Sequence, residues 1–419
     1  MRLEGRFAVP SDKSMSHRAL ILGGLASSET RIFGLLEADD VMATVRALQA
    51  FGIAVEQTDE GYWRVVGGEW QSPSGPIDCG NSGTSARLLM GAAAGYDLTA
   101  TFTGDQSLQG RPMRRVRDPL QAMGARFEGG DTLPLTLHGG GLRGIEHRNV
   151  PASAQVKSAI LLAGLRASGP VRVIEPQPSR DHSEIMLDAF GAEVATRDGV
   201  VELGNRRRLC AARIDIWGDP SAAAFGWVAA AIVPISSVET RGVMVNPLRV
   251  GILGWLEWMG ADVTVSNPMR VSGEQVTDVT VRHVRLRAIE VPAEAAPAMI
   301  DEYPLLAVAA AFAEGTSVFH GLGELRLKEC DRLTAIVEGL TACGVAASID
   351  GDTLRVTGGP VTGGAVQSQG DHRIAMAFLV LGLGAREPVS VDRAEMIATS
   401  FPGFAAAMRE IGARIEESG

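Results

Sequence analysis

The stretch ALQAFGIAVE at 47–56 reads as the end of an amphipathic helix, a glycine, and the start of a strand. It returns as PLQAMGARFE at 119–128, MLDAFGAEVA at 186–195 and WLEWMGADVT at 255–264. LTACGVAAS at 340–348 and AMREIGARIE at 407–416 complete the set. The glycines, Gly52, Gly124, Gly191, Gly260, Gly344 and Gly412, are separated by 72, 67, 69, 84 and 68 residues. Glycine suits the position just past a helix because it accepts a left-handed backbone there. The alternating residues that follow have strand period. One such match would mean nothing in an α/β protein, but six at near-constant spacing define a repeat.

A second element lies between these phrases: a polar start, an Ala/Leu-rich helix, then a strand rich in Val, Thr and Ile. SMSHRALILGGLASSETRIF and DEYPLLAVAAAFAEGTSVFHG are two of its six occurrences. Each unit thus has about 70 residues, two helices and several strands, too little to bury both faces alone, so the units must stack. The sequence predicts an α/β protein of two similar domains with three repeats each. One spans 13–218; the other comprises 219–419 together with 1–12, whose strand-like MRLEGRFAV is expected to complete it.

Composition narrows the function. Net charge is −10, from 39 basic and 49 acidic residues, which argues against nucleic acid and anionic membrane as partners. Only three tyrosines and twelve phenylalanines are available for base stacking. The four cysteines (Cys79, Cys210, Cys330, Cys343) form no CxxC pair, and the seven histidines form no HxxxH or HExxH, so no metal is expected. Neither a secretory apolar core at the N-terminus nor an apolar run long enough to span a bilayer is present, so a cytoplasmic protein is expected. Fifty glycines, about 12% against a usual ~7%, indicate many turns or close backbone approaches to a ligand.

The recurring helices have unusual first turns. Lys13, Ser14 and Arg18 open the first, and Asn81, Ser82, Gly83, Thr84 and Arg87 the second. Ser153, Gln155 and Lys157 open the third; Asp371, His372 and Arg373 open the sixth. A helix N-terminus offers unpaired N–H groups and positive partial charge, so it attracts phosphate and carboxylate. Arg and Lys are disfavoured there by the dipole, and a bound anion is the simplest reason for them. Asp301, in MIDEYP, falls where a helix begins and reads as an N-cap carboxylate; Glu329, beside Lys328, reads as half of a surface ion pair. GGGLRG at 139–144 matches GxGxxG but precedes no helix, so it reads as a turn rather than a dinucleotide site. No GxxxxGK[ST] or GxSxG occurs.

Taken together, PSDKSMSHRALILGGLA, GNSGTSARLL, GRPM, SAQVKSAILLAGL, MIDEYP, LKECDRL, GDHRIAM and ATSFPGF resemble the 5-enolpyruvylshikimate-3-phosphate (EPSP) synthases, in order from residue 10 to 404. SAQVKS and SRDH are similar to the bacterial class of that family. The resemblance implies two domains of three βαβαββ units, an inside-out α/β barrel architecture, closing over substrates bound in the cleft between them. It implies transfer of the carboxyvinyl group of phosphoenolpyruvate to the 5-hydroxyl of shikimate 3-phosphate, with release of phosphate and without metal or organic cofactor. It assigns Lys13, Gly83, Arg111, Gln155, Arg332 and Arg373 to phosphoenolpyruvate. Lys13, Ser14, Arg18, Ser153, Ala154, Gln155, Arg180, Asp301 and Lys328 are assigned to shikimate 3-phosphate. Asp301 becomes the candidate base and Glu329 the candidate acid, with Lys13 beside the reacting centre. Two phosphates and two carboxylates bring roughly five negative charges; Lys13, Arg18, Arg111, Arg180, Lys328, Arg332 and Arg373 answer them with positive ones.

Some positions depart from the family pattern. Thr399 follows Ala398 where many members carry a Lys in a K-T-F-P segment, and Ala154 replaces a common Ser. Leu88 and Glu324 replace a common Pro and Asn. Glyphosate, which competes with phosphoenolpyruvate in this family, is expected to inhibit, because Gly83 leaves room that an Ala methyl would occupy. A monomer is expected. The alternatives are the sister UDP-N-acetylglucosamine enolpyruvyl transferase and a non-catalytic phosphometabolite binder. The first usually has Cys or Asp five residues before its Arg-Pro pair, where Gln106 stands here. The second would need neither Asp301 nor Glu329.

Overall fold

The computed structural model describes residues 1–416. All six repeat glycines adopt positive φ, from +78° at Gly344 to +118° at Gly124. At each one the helix closes in the same way. The N–H after the glycine donates to a carbonyl five residues back: Ile53 to Leu48, Ala125 to Leu120, Ala192 to Leu187, Ala261 to Leu256, Val345 to Leu340 and Ala413 to Met408. This is the Schellman pattern. The accepting residue is fully buried in every copy, so each helix end is pinned by a core side chain.

Among the described residues the strands form five four-stranded sheets and one two-stranded sheet. In the sheet of Arg213–Asp215, Glu29–Phe33, Trp63–Val66 and Ala54–Gln57, the first pair is parallel and the other two pairs are antiparallel. The sheets containing Thr99–Thr103, Ser168–Ile174 and Thr316–Phe319 repeat that pattern. The sixth copy differs: its sheet holds only Gly364–Val366 and Val389–Val391, and no strand follows Gly412 among the described residues. GGGLRG leads into the strand Arg143–Arg148 and opens no helix.

The chain divides into two compact units, one of Ser11–Ile216 with Val271–Glu274, the other of Met1–Pro10, Trp217–Arg270 and Gln275–Gly419. The opening strand Glu4–Arg6 pairs in parallel with Ser237–Met244 of the second unit. Arg213–Asp215, at the far end of the first unit, supplies the corresponding edge to Glu29–Phe33. The second unit thus takes this edge strand from the opening residues of the chain, and the first takes it from its own far end.

At the centre of each unit lie three helices. In the first unit they are Lys13–Leu25, Gly83–Ala94 and Ala154–Gly164; in the second, Pro220–Ile232, Tyr303–Ala311 and His372–Gly384. Every residue of Pro220–Ile232 and of Tyr303–Ala311 is buried. Helices apolar on all sides belong in an interior, which explains why the Ala-rich segment at 222–235 is core as far as Val233, with Pro234 and Ile235 exposed, and why most of 374–385 is buried as well. Among the described residues no helix is long and apolar enough to cross a membrane.

Candidate active site

In the first unit the three central helices start together. Asp12, Ser82 and Ser153 are their N-caps, accepting from the N–H of Met15, Ser85 and Val156. Gln155 Nε2 reaches Thr84 Oγ1 at 3.0 Å, and Arg18 Nη2 reaches Ser158 Oγ at 2.9 Å. First turns in mutual contact concentrate three positive dipole ends in one place.

The basic side chains expected at this junction are there. Arg18 is 5% exposed and also donates to Ser183 Oγ (2.8 Å) and to the Ser14 carbonyl (3.0 Å). Arg87 donates to Gln155 Oε1 at 2.8 Å. Arg111, also buried, donates to Asn81 Oδ1 (2.7 Å), Asn81 O and Ser107 Oγ. Gly83 lies between these two arginines: an added Cβ would fall 2.7 Å from Arg87 Nη1 and 3.4 Å from Arg111 Nη1. Ala154 is the first residue of its helix, and Arg180 is half-buried in the segment that precedes helix His182–Ala189.

Two readings of the first turns change. Lys13 has an internal counter-ion, Asp40, at 2.9 Å. Lys157, grouped with the anion-attracting residues by sequence, is 1% exposed and paired with Glu175 and Glu184, each at 2.7 Å. It faces the interior.

In the second unit a single guanidinium organises the site. Arg332 is the first residue of helix Arg332–Ala342 and is 1% exposed. It donates from Nη1 to Asp301 Oδ1 (3.1 Å), from Nη2 to Glu329 Oε2 (2.5 Å) and from Nε to Asp371 Oδ2 (2.7 Å). Burial disfavours its charge, but Asp371, Glu329 and Asp301 outweigh that and hold it firmly protonated. Lys328 Nζ donates to the same Asp301 oxygen at 3.0 Å. The N-cap expectation for Asp301 therefore fails. Glu302 stands at that position, and Asp301 lies one residue earlier with its carboxylate turned to two cations. Glu329 likewise pairs with Arg332, three residues on, rather than with its neighbour Lys328.

Glu302 was missed by sequence. It is 1% exposed, and its Oε1 accepts from Arg373 Nη1 (3.2 Å) and from the Ser221 hydroxyl. Ser221, Glu302 and Arg373 belong to the starts of the three central helices of this unit. Arg373 also donates to the Asp301 carbonyl at 3.3 Å. The adjacent acidic pair in MIDEYP was the available signal, but both partners of Glu302 are more than 70 residues away in sequence. Asp371, fully buried, caps helix His372–Gly384 while accepting from Arg332. The Cys330 thiol, 3.8 Å from Asp371, is pushed up by burial and by that carboxylate, so it stays protonated. Thr399, where the family pattern has Lys nearby, is buried and donates to the Met396 carbonyl. Among the described residues no cluster of three or more His, Cys, Asp or Glu could hold a metal ion.

The repeated α/β architecture is that of known enolpyruvyl transferase and EPSP synthase structures. The fold matches the enolpyruvyl transferase NikO from Streptomyces tendae with a TM-score of 0.80, over 99% of this chain and 96% of that one, at 17% identity. Residues 1–408 match the family EPSP synthase (3-phosphoshikimate 1-carboxyvinyltransferase), and the chain belongs to that family. A 3-phosphoshikimate 1-carboxyvinyltransferase from Caulobacter vibrioides is 54% identical, over 99% of this chain and 97% of its own length. The protein of that name from Phenylobacterium zucineum is also 54% identical, over 99% and 94%. An EPSP synthase structure from Acinetobacter baumannii superposes with a TM-score of 0.86 at 39% identity, covering 98% of this chain and 96% of that one.

Proposed function

We propose that this chain transfers the carboxyvinyl group of phosphoenolpyruvate to the 5-hydroxyl of shikimate 3-phosphate, on the route to chorismate and aromatic amino acids. The observation that carries this reading is the Arg332 cluster, where one buried cation brings the side chains of Asp301 and Glu329 together. Asp301, receiving Lys328 and Arg332, takes the 5-hydroxyl proton, while Glu329 delivers a proton to the phosphoenolpyruvate methylene. The hydroxyl oxygen bonds to the central carbon, giving a tetrahedral intermediate. Loss of a methyl proton and cleavage of the carbon–oxygen bond to phosphate then restore the double bond.

Shikimate 3-phosphate is held by Ser14, Arg18, Ser153, Ala154, Gln155 and Arg180 in the first unit, with Asp301 and Lys328 in the second. Phosphoenolpyruvate is held by Lys13, Gly83, Arg111 and Gln155, with Arg332 and Arg373. Arginine forks orient the carboxylates and phosphates of the substrates. Positioning and fixed charge supply most of the acceleration. The same reading places a monomeric enzyme in the cytoplasm.

Purified protein is expected to release phosphate from phosphoenolpyruvate with shikimate 3-phosphate and not with UDP-N-acetylglucosamine; the reverse preference would overturn the reading. Glyphosate is expected to inhibit competitively with phosphoenolpyruvate. Gly83→Ala must displace the Arg87 end by its 2.7 Å approach, so it should weaken that inhibition. Equal inhibition of both proteins would remove Gly83 from the phosphoenolpyruvate site.

A further inference from the structure

Beneath the first-unit helix starts lies a polar network that the proposed reaction does not use. The parallel strands Arg143–Arg148 and Ser168–Ile174 end side by side, followed at once by Asn149 and Glu175. Asn149 N–H donates to the Ile174 carbonyl, which locks the two strand ends together. Asn149, Glu175, Ser179 and Lys157 are exposed by 2%, 6%, 4% and 1%, so water contributes little to their solvation.

Glu175 is the hub. Its Oε1 accepts from Asn149 Nδ2 (2.8 Å) and from Ser179 Oγ (2.5 Å), and its Oε2 accepts from Lys157 Nζ (2.7 Å). Two connections run outward. Asn149 Nδ2 also donates to the Ser153 carbonyl at 3.1 Å, at the cap of helix Ala154–Gly164. Lys157 Nζ also donates to the Ser179 carbonyl at 3.3 Å, one residue before Arg180. A single buried carboxylate therefore ties together the two segments that carry Ser153 and Arg180.

We propose that Asn149, Glu175, Ser179 and Lys157 are positioning residues that set the spacing between the Ser153 cap and the Arg180 segment, and thereby the affinity for the phosphorylated acceptor. The proposal rests on the reading of Ser153 and Arg180 as ligands of shikimate 3-phosphate. A phosphate bridging two chain segments is sensitive to their separation, because fixed donors lose strength once misplaced by a fraction of an ångström. Fully satisfied buried networks are suited to this role, since every member resists displacement.

The test uses Asn149→Ala, which cuts the connection to the Ser153 carbonyl, and Ser179→Ala, which removes the hydroxyl bond to Glu175, together with the double variant; both leave the Lys157–Glu175 pair and the carbonyl of residue 179 in place. Dissociation constants for shikimate 3-phosphate alone are measured by calorimetry, and KM for both substrates by phosphate release. Each single variant is expected to weaken shikimate 3-phosphate about tenfold in both measurements, with KM for phosphoenolpyruvate changed less than about twofold. Because both act through Glu175, the double variant should lose less than the product of the single losses. A fall in Tm with unchanged shikimate 3-phosphate affinity would make the network purely structural and overturn the proposal. Equal weakening of both substrates, or strictly multiplicative losses, would do the same. Ser179→Ala removes only one hydroxyl, so a folded variant is available even if Asn149→Ala is not. Failure of the unmodified protein to bind shikimate 3-phosphate would instead refute the functional reading beneath the proposal.

Discussion

Each unit gathers the first turns of three apolar helices, but the two junctions are held by different chemistry. In the first unit, Arg18 is fixed by two serine hydroxyls and a carbonyl, and Arg87 and Arg111 by amide, hydroxyl and carbonyl oxygens. In the second, Arg332 is fixed by three carboxylates, and Arg373 by the carboxylate of Glu302. A hydroxyl orients a guanidinium without offsetting its charge, whereas a carboxylate does both. Lys13 of the first junction does meet a carboxylate, Asp40, but the oxygens described around the arginines there are neutral, which suits those arginines to external anions. The second already contains its own, and is suited to aligning carboxylates for proton transfer.

The largest expected difference between the junctions comes from removing their central arginines. Arg332→Ala would leave Asp301, Glu329 and Asp371 without their shared cation. Breaking one side of a buried ion pair typically costs ~3–5 kcal/mol, and turnover should be lost with it. Arg18→Ala leaves Ser158 and Ser183, whose hydroxyls already lie 2.6 Å apart and can satisfy each other. Its cost should stay nearer ~1–2 kcal/mol, as for lost neutral partners. Urea unfolding of the two variants measures the gap, and equal destabilisation would break the distinction between the junctions.

A smaller effect on stability, but a large one on rate, is expected at Glu329. Glu329→Gln keeps an oxygen for Arg332 and removes the proton that can be delivered. We expect binding of both substrates to change little while kcat falls ~10²–10⁴-fold, the usual contribution of general acid–base catalysis. Unchanged kcat would leave Glu329 as a mere counter-ion and make the second junction resemble the first.

The comparison also shows which features were legible in the sequence. The Schellman turns were, because each is decided within about six residues, and Gly52 or Gly260 carries its own conformational reason. The helix starts were as well, since Ser82, Ser153 and Asp371 are local caps. The shortened sixth copy was not: AMREIGARIE has the same pattern as its siblings, and only pairing decides whether a strand forms. Ion-pair partners were the least legible. Asp40 for Lys13, Asp371 for Arg332 and Glu175 for Lys157 lie 27, 39 and 18 residues away, and each has an ordinary capping or surface reading in isolation. Motif resemblance named the candidate substrate-facing residues but carried no information on what holds them.

The smallest expected effect tests the neutral hydrogen-bond chain beneath the first junction through His17. This residue is fully buried, and its Nδ1 lies 2.8 Å from Thr44 Oγ1, which continues through Ser85 to the cap Ser82. Burial lowers its pKa well below 6.5, and nearby Lys13 and Arg18 lower it further, so the imidazole is neutral in the folded protein. Above about pH 6.5 folded and unfolded chains bind the same number of protons at this site, and its contribution to stability is complete. As pH falls below that value the unfolded chain takes up a proton that the native chain refuses, so stability is lost. Glu184, whose pKa burial raises, has the opposite sign: its contribution is present at low pH and lost as pH rises. Comparing the unmodified protein with His17→Gln cancels Glu184 and the other shared groups. Between pH 7.5 and 5.5 the unmodified protein should lose ~1 kcal/mol more unfolding free energy than the variant. An identical pH dependence would mean that His17 takes up its proton as readily in the fold as in the unfolded chain, so that burial does not keep this hydrogen-bond chain neutral.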